Sequence, residues 1–261
     1  LLARLKIPNV TYIPTSALNG DNIVVQSTNM PWFTDGPLLD HLENVPIQAS
    51  TETLPLRLPI QRVVRPLRVG YHDYRGYSGS IASGVLRKGD RVRILPSGHE
   101  TIITSIETPW GSVSQATAPA AVTVCIDDEF NITRGEMICS INKSPQMSKS
   151  VDSIVCWMDD QSDLYENKMY RIKQTTNTAK TLVTKINSRF NIGSLTGETV
   201  TKSLQLNEIG EVSLQISTPL VFDDYTSNRI TGSFIMIDTD TNTTVAAGMI
   251  GRPRFSVWRN S

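Results

Sequence analysis

Long hydrophobic runs are missing from this sequence: nowhere does it approach the about 20 consecutive apolar residues that a membrane-spanning helix needs. Net charge is missing as well, because 25 basic side chains balance 25 acidic ones. Without a surplus of positive charge, the chain has no general attraction for nucleic acid or an anionic membrane surface. Cysteine is scarce, and Cys125, Cys139 and Cys156 are odd in number with no C-x-x-C spacing, which argues against a disulfide framework. Each lies in an apolar, strand-like stretch and reads as a buried, reduced thiol. His41, His72 and His99 are scattered without metal-ligand spacing, so no metal site is assigned. The first residues, Leu1-Leu2-Ala3-Arg4-Leu5-Lys6, have neither the apolar core nor the cleavage site of a secretory leader. The matches to N-x-[ST] at Asn9, Asn131, Asn142 and Asn242 are therefore read as chance. An initiator Met is also absent. The expectation is a cytoplasmic protein whose sequence here begins inside a longer chain.

What is present falls into three textures. Residues 1–48 read as α/β material: an apolar helical face at Leu1, Leu2 and Leu5, then a short buried-strand run, Val10-Thr11-Tyr12-Ile13. Gly36-Pro37 opens a further helix, because proline is tolerated at the first helical position. Leu38, Leu39, Leu42 and Val45 line one side of it, and Pro46 stops it. Residues 49–148 read as short strands forming a small closed barrel, since closure buries strands without leaving open edges. Arg91-Val92-Arg93-Ile94-Leu95 alternates charged and apolar residues with the period of a half-buried strand. Pro96-Ser97-Gly98 turns the chain into Glu100–Ile106, a hairpin. Residues 149–261 read as a second barrel, with strands over 151–157, 169–174, 179–186, 211–216 and 232–237. The fold class expected is mainly β: two consecutive small barrels preceded by an α/β remnant.

Charge is distributed unevenly along the chain. Between Arg57 and Arg93 stand nine basic residues against Asp73 and Asp90, whereas five acids and no base lie between Asp152 and Glu166. A basic barrel face would suit an anionic ligand or partner, with Arg62, Arg65, Arg68 and Arg75 as its candidate contacts. The plain alternative is a set of solvated outward strand positions. No acids or histidines form a recognisable acid–base pair, so no catalytic residue is assigned.

Thr15-Ser16-Ala17-Leu18 directly follows the first strand-like run, where a strand-to-helix turn capped by Ser16 would explain the same letters. Read together with Asn19-Gly20-Asp21-Asn22-Ile23, Met30-Pro31-Trp32-Phe33 and Gly36-Pro37-Leu38-Leu39, the junction resembles that of the GTPase subunit of bacterial ATP sulfurylase (sulfate adenylyltransferase), within the elongation-factor-Tu-like GTPases. The resemblance continues through Leu58–Val63, Arg75–Gly79, Gly89–Gly98 and Ile132–Glu136. It closes with Asn228-Arg229, Thr231–Ile235 and Asn242–Ile250, the most family-specific part. It spans essentially the whole chain in order, while Asp159–Ser203 is less family-like.

The resemblance implies that residues 1–48 close a GTP-binding domain and that both barrels are of the translation-factor type. In the parent, Ser16, Ala17 and Leu18 would contact guanine, a backbone N–H donating to O6 where adenine presents a donor. It also implies GTP with magnesium as cofactors, and a smaller ATP-using subunit as partner. GTP hydrolysis would drive synthesis of adenosine 5′-phosphosulfate and pyrophosphate from ATP and sulfate. The phosphate-binding loop G-x-x-x-x-G-K-[ST] is absent, so it and the companion nucleotide motifs are expected upstream of Leu1, and the fragment alone is expected to be inactive without bound GTP. The alternative is an elongation-factor-like GTPase that binds aminoacyl-tRNA. The neutral charge argues against that and against nucleic acid generally.

Overall fold

The computed structural model describes residues 10–45, 51–66, 74–128, 130–191, 193–194, 196–198 and 202–251. The chain divides into two compact units, Leu1–Ala49 and Ser50–Ser261. In the first unit, helix α1 (Leu38–Asn44) starts where Gly36-Pro37 indicates, with extended Pro37 at its N-cap position. The N–H groups of Leu38 and Leu39 reach back to the carbonyls of Asn22 and Ile23, both at 2.9 Å, which satisfies donors that a helix start otherwise leaves open. No residue of α1 is buried, and Leu39, Leu42 and Val45 stay exposed rather than facing a core. Val10–Ile13 is likewise not the buried strand its composition suggests. No strand pairs with it among the described residues, so its backbone is unladdered and Tyr12 is 71% exposed. The Leu1–Leu5 helix and the Pro46 stop lie outside the described residues.

Apart from a 3-10 turn at Thr51–Thr53, the regular structure described in the second unit is β. Its first ten strands are β1 (Arg57–Pro59), β2 (Arg62–Val64), β3 (Gly76–Ser80), β4 (Val85–Arg87), β5 (Arg91–Leu95), β6 (Glu100–Thr108), β7 (Gly111–Val113), β8 (Gln115–Thr117), β9 (Ala121–Ile126) and β10 (Met137–Ser140). Antiparallel pairing runs β1-β10-β5-β6-β9-β3-β2, with β7 appended to β6 and β4 paired with β8. The two ends of this order are one bent segment. Ile60 N–H bonds Glu136 on the β10 side, and Gln61 N–H bonds Ser78 on β3, so the segment joins both edges. The interior holds Leu58, Ile60, Tyr77, Leu86, Ile94, Ile103, Ile106 and Val124, all at most 1% exposed. The expected hairpin is β5–β6, its left-handed turn position taken by Gly98 at φ +82°, a conformation glycine adopts freely.

The remaining strands are β11 (Gln146–Trp157), β12 (Leu164–Tyr165), β13 (Met169–Gln174), β14 (Asn177–Asn191), β15 (Thr196–Glu198), β16 (Ser203–Leu204), β17 (Ile209–Phe222), β18 (Ser233–Asp238) and β19 (Thr244–Ile250). Strands β13-β18-β19-β11-β17-β14 close into a six-stranded ring because β14 pairs back to β13. Along β11, Val151, Ser153, Val155 and Trp157 point inward and alternate with the outward Asp152, Ile154 and Cys156. Inside, Trp157 meets Tyr170 edge-on at 5.7 Å and donates its indole N–H to Ser162 O at 2.6 Å.

The β18–β19 turn is held by Asp238. Its carboxylate accepts the backbone N–H groups of Asp240 (2.9 Å) and Thr241 (3.0 Å), with Lys168 Nζ at 3.5 Å. The Thr241 bond is the largest cause holding this carboxyl below its ordinary value of 3.8. A depressed folded-state pKa stabilises above the unfolded value, and the contribution is lost as pH falls through the folded one. Asp238→Asn should therefore lower stability at neutral pH and flatten the loss of stability on acidification below pH 3.8, which urea unfolding across a pH series measures.

Candidate functional site

Ser16 to Gly20 form a tight turn closed by a bridge between Ser16 and Asp21, with Ser16 N–H to Asp21 O at 3.1 Å. The Ser16 hydroxyl accepts Asn19 N–H at 3.4 Å. Behind the turn, the Asp21 carboxylate accepts the Ser27 hydroxyl (2.5 Å) and the Asn29 amide (3.1 Å), and these contacts, Ser27 first, hold its carboxyl below the usual range. Asn22 is fully buried at φ +53°, a left-handed position that asparagine tolerates. Its amide donates to Pro14 O at 2.9 Å and its side-chain carbonyl accepts Ser27 N–H at 2.8 Å. Ser16, Ala17 and Leu18 thus lie together on one braced turn, with Ala17 exposed and Leu18 96% exposed at its tip. The bracing residues Asp21, Asn22, Ser27 and Asn29 were not picked out as site residues. Their signal was the density of Asn and Asp after the Ser-Ala-Leu tripeptide.

In the second unit, Arg57 leaves the basic face where its position in sequence would put it. It is 2% exposed, with Nε and Nη2 each 2.8 Å from one oxygen of Asp223 and Nη1 2.9 Å from Leu56 O. Thr231 adds its hydroxyl to Asp223 at 2.7 Å. Alongside, the Asn228 amide donates to the Ser83 hydroxyl at 2.9 Å while its carbonyl accepts the N–H groups of Ile230 and Thr231. Leu95, Met137 and Cys139 of the first barrel pack with Val221 of the second. Burial pushes the Cys139 thiol up to about 11, which keeps it protonated and inert as a packing group. The Asn228–Gly232 stretch, singled out in sequence as family-specific, therefore builds the junction between barrels.

Arg62 and Arg65 do lie on an open surface, beside a cleft of about 670 Å³ that they share with Arg134, which the sequence places in the family-like Ile132–Glu136 block but not among the basic contacts. No carboxylate pairs with Arg62 or Arg65 among the described residues. Arg75 is turned inward. Its Nη1 and the Tyr77 hydroxyl both donate to Phe130 O, at 2.9 and 2.7 Å, anchoring the segment that leads to Arg134. Arg91 and Arg93 are both bonded to Glu100, and Arg68 lies outside the described residues. The five acids from Asp152 to Glu166 each accept a hydrogen bond within the second barrel: Asp159 from Ser162, Asp160 from Gln161, Asp163 from Ser203, Glu166 from Ile186 N–H and Asp152 from Ser213. Of the cysteines, Cys139 is buried as expected, whereas Cys125 and Cys156 are half-buried; all three are free. Among the described residues no group of three His, Cys, Asp or Glu side chains could hold a metal, and no helix is long and apolar enough to cross a membrane.

Two barrels joined in this order have the fold of translation-factor GTPases. Residues 77–139 match the model for elongation factor Tu domain 2, and residues 150–251 match the GTP-eEF1A C-terminal domain-like model. The structure of sup35 complexed with GDP superposes with a TM-score of 0.70 at 16% identity, covering 94% of this chain and 59% of that one. More specifically, the chain is homologous to proteins named for sulfate adenylyltransferase. It is 40% identical over 249 residues (95% of this chain) to sulfate adenylyltransferase subunit 1 of Bacteroides fragilis. To the bifunctional enzyme CysN/CysC of Mycobacterium tuberculosis it is 44% identical over 250 residues. The chain spans 51% of the first of these relatives and 41% of the second.

Proposed function

We propose that this chain is the C-terminal part, with both barrels, of the GTPase subunit of a sulfate adenylyltransferase, acting in the cytoplasm. The observation that carries the reading is homology to proteins of that name, collinear over 95–97% of the chain. In this reading the whole protein binds GTP with magnesium, and hydrolysis drives formation of adenosine 5′-phosphosulfate and pyrophosphate from ATP and sulfate. The barrels in this reading contribute contacts to the partner rather than chemistry. The Ser16–Gly20 turn supplies guanine recognition: Ala17 is exposed at its tip, and the turn is braced from behind by Asp21 and Asn22. Residues 1–48 then close the nucleotide domain, residues 49–148 form the first barrel and residues 149–261 the second. The name "subunit 1" speaks for a partner subunit, here a smaller one that uses ATP. Arg62, Arg65, Arg68 and Arg75 are proposed to face it, Arg75 indirectly by holding the segment that carries Arg134.

A test of the turn follows. Ala17→Pro removes one backbone N–H, and in the full-length parent it should reduce preference for GTP over ATP by about tenfold, the value of roughly 1.4 kcal/mol. Competition titration measures this; unchanged preference in a folded variant would contradict the assignment. Co-expression with the smaller subunit tests the partner. Binding to aminoacyl-tRNA in its place would favour the translation-factor reading.

A further inference from the structure

We propose that the cleft between the two barrels receives a partner-protein segment that carries an apolar side chain next to a carboxylate. The starting point is an anomaly in alternation. Outward positions of a barrel that faces water are polar, yet on β11, β18 and β19 Ile154, Cys156, Ile235, Ala247 and Met249 are among them. These residues sit in two rows across the sheet: Cys156 opposite Ala247 opposite Ile235, and Ile154 opposite Met249. The first barrel supplies the facing wall with Ile81, Ala82 and Pro119, leaving a cleft of about 860 Å³. An apolar concavity of this size is the usual form of a binding site.

The polar groups select the occupant. Lys173 and Arg229 line the cleft, both are exposed, and no acidic side chain lines it among the described residues. The Thr176 hydroxyl, also in the lining, is buried without a hydrogen-bond partner. The cleft adjoins the arginine cluster: Gln61 lines it, Arg62 is the next residue, and Arg134 donates to Gln61 O at 3.3 Å. An apolar anchor would fill the floor, and a neighbouring carboxylate would meet uncompensated cations. The inference rests on reading the arginine cluster as a partner contact, and it adds where the segment's apolar anchor lodges.

The test uses the 261-residue chain and fluorescein-labelled peptides containing Leu-Phe-Asp-Glu or the neutral Leu-Phe-Asn-Gln, followed by fluorescence anisotropy. The acidic peptide should bind saturably and at least about tenfold more tightly than the neutral one. Lys173→Glu/Arg229→Glu should weaken it about tenfold, and Ala247→Trp, which fills the cleft without changing charge, should do the same. These positions are exposed, so all variants should keep the parent melting temperature. Loss of binding in Arg62→Glu/Arg65→Glu alone, with the cleft variants unaffected, would overturn the cleft and spare the arginine reading. Equal affinity for both peptides, or no saturable binding, would overturn the proposal. Self-association in sedimentation that Ala247→Trp abolishes would assign the cleft to a second copy and overturn it too.

Discussion

Asp223→Ala is expected to lower the unfolding free energy by about 3–5 kcal/mol, the usual result of removing one member of a buried ion pair. The loss is not the strength of the pair itself. It comes from leaving the Arg57 guanidinium, 2% exposed, with only Leu56 O as acceptor. The same change frees the Thr231 hydroxyl and loosens the junction that Asn228 and Ser83 share. Replacing both members, as in Arg57→Met/Asp223→Leu, should recover most of the stability, because two apolar side chains need no compensation. Urea unfolding of the three variants measures this; a cost below about 1 kcal/mol for Asp223→Ala would place the pair in solvent rather than in a buried junction.

Gly84→Ala should be nearly as damaging, at about 2–5 kcal/mol, combining left-handed backbone strain with overpacking. Gly84 sits at φ +83°, and a Cβ built there meets Leu56 Cα and N at 2.6 Å. Those are backbone atoms of the segment entering β1, which cannot rotate aside. The chain is also fixed on both sides: Gly84 N–H bonds Thr51 O at 2.7 Å and its carbonyl accepts Ala118 N–H at 3.1 Å. Gly89→Ala is the control. Its φ is +89° with nothing within 4 Å, so it should cost only the conformational strain, roughly 1–2 kcal/mol. Equal losses at the two positions in thermal melts would remove the steric part of the argument.

Most of the β architecture was legible because strand alternation is local. Arg91–Leu95 and Met169–Gln174 have the bounds that their residue types announce. Val10–Ile13 failed for the opposite reason: a strand exists only where another strand takes its hydrogen bonds, and pairing is not written in four residues. The basic face was half legible. Counting charges groups Arg57 with Arg62 and Arg65, but only the fold brings Asp223, 166 positions away, onto the first and leaves the others open. Arg134 was missed because it lies far from that run in sequence and joins it only through Gln61. The junction role of Asn228 and Thr231 was invisible as chemistry, since both act on residues of the other barrel or through Asp223.

The proposed function places the barrel pair in a GTPase coupled to sulfate activation. In that proposal the barrel pair acts by contacting a partner differently in the two nucleotide states. The most direct measurement is the GTPase rate of the full-length parent, alone and with the smaller subunit, ATP and sulfate. The account predicts a rate that rises on adding the subunit with both substrates, and adenosine 5′-phosphosulfate formation that depends on GTP. A rate indifferent to that subunit and its substrates, in a parent that hydrolyses GTP on ribosomes instead, would contradict it.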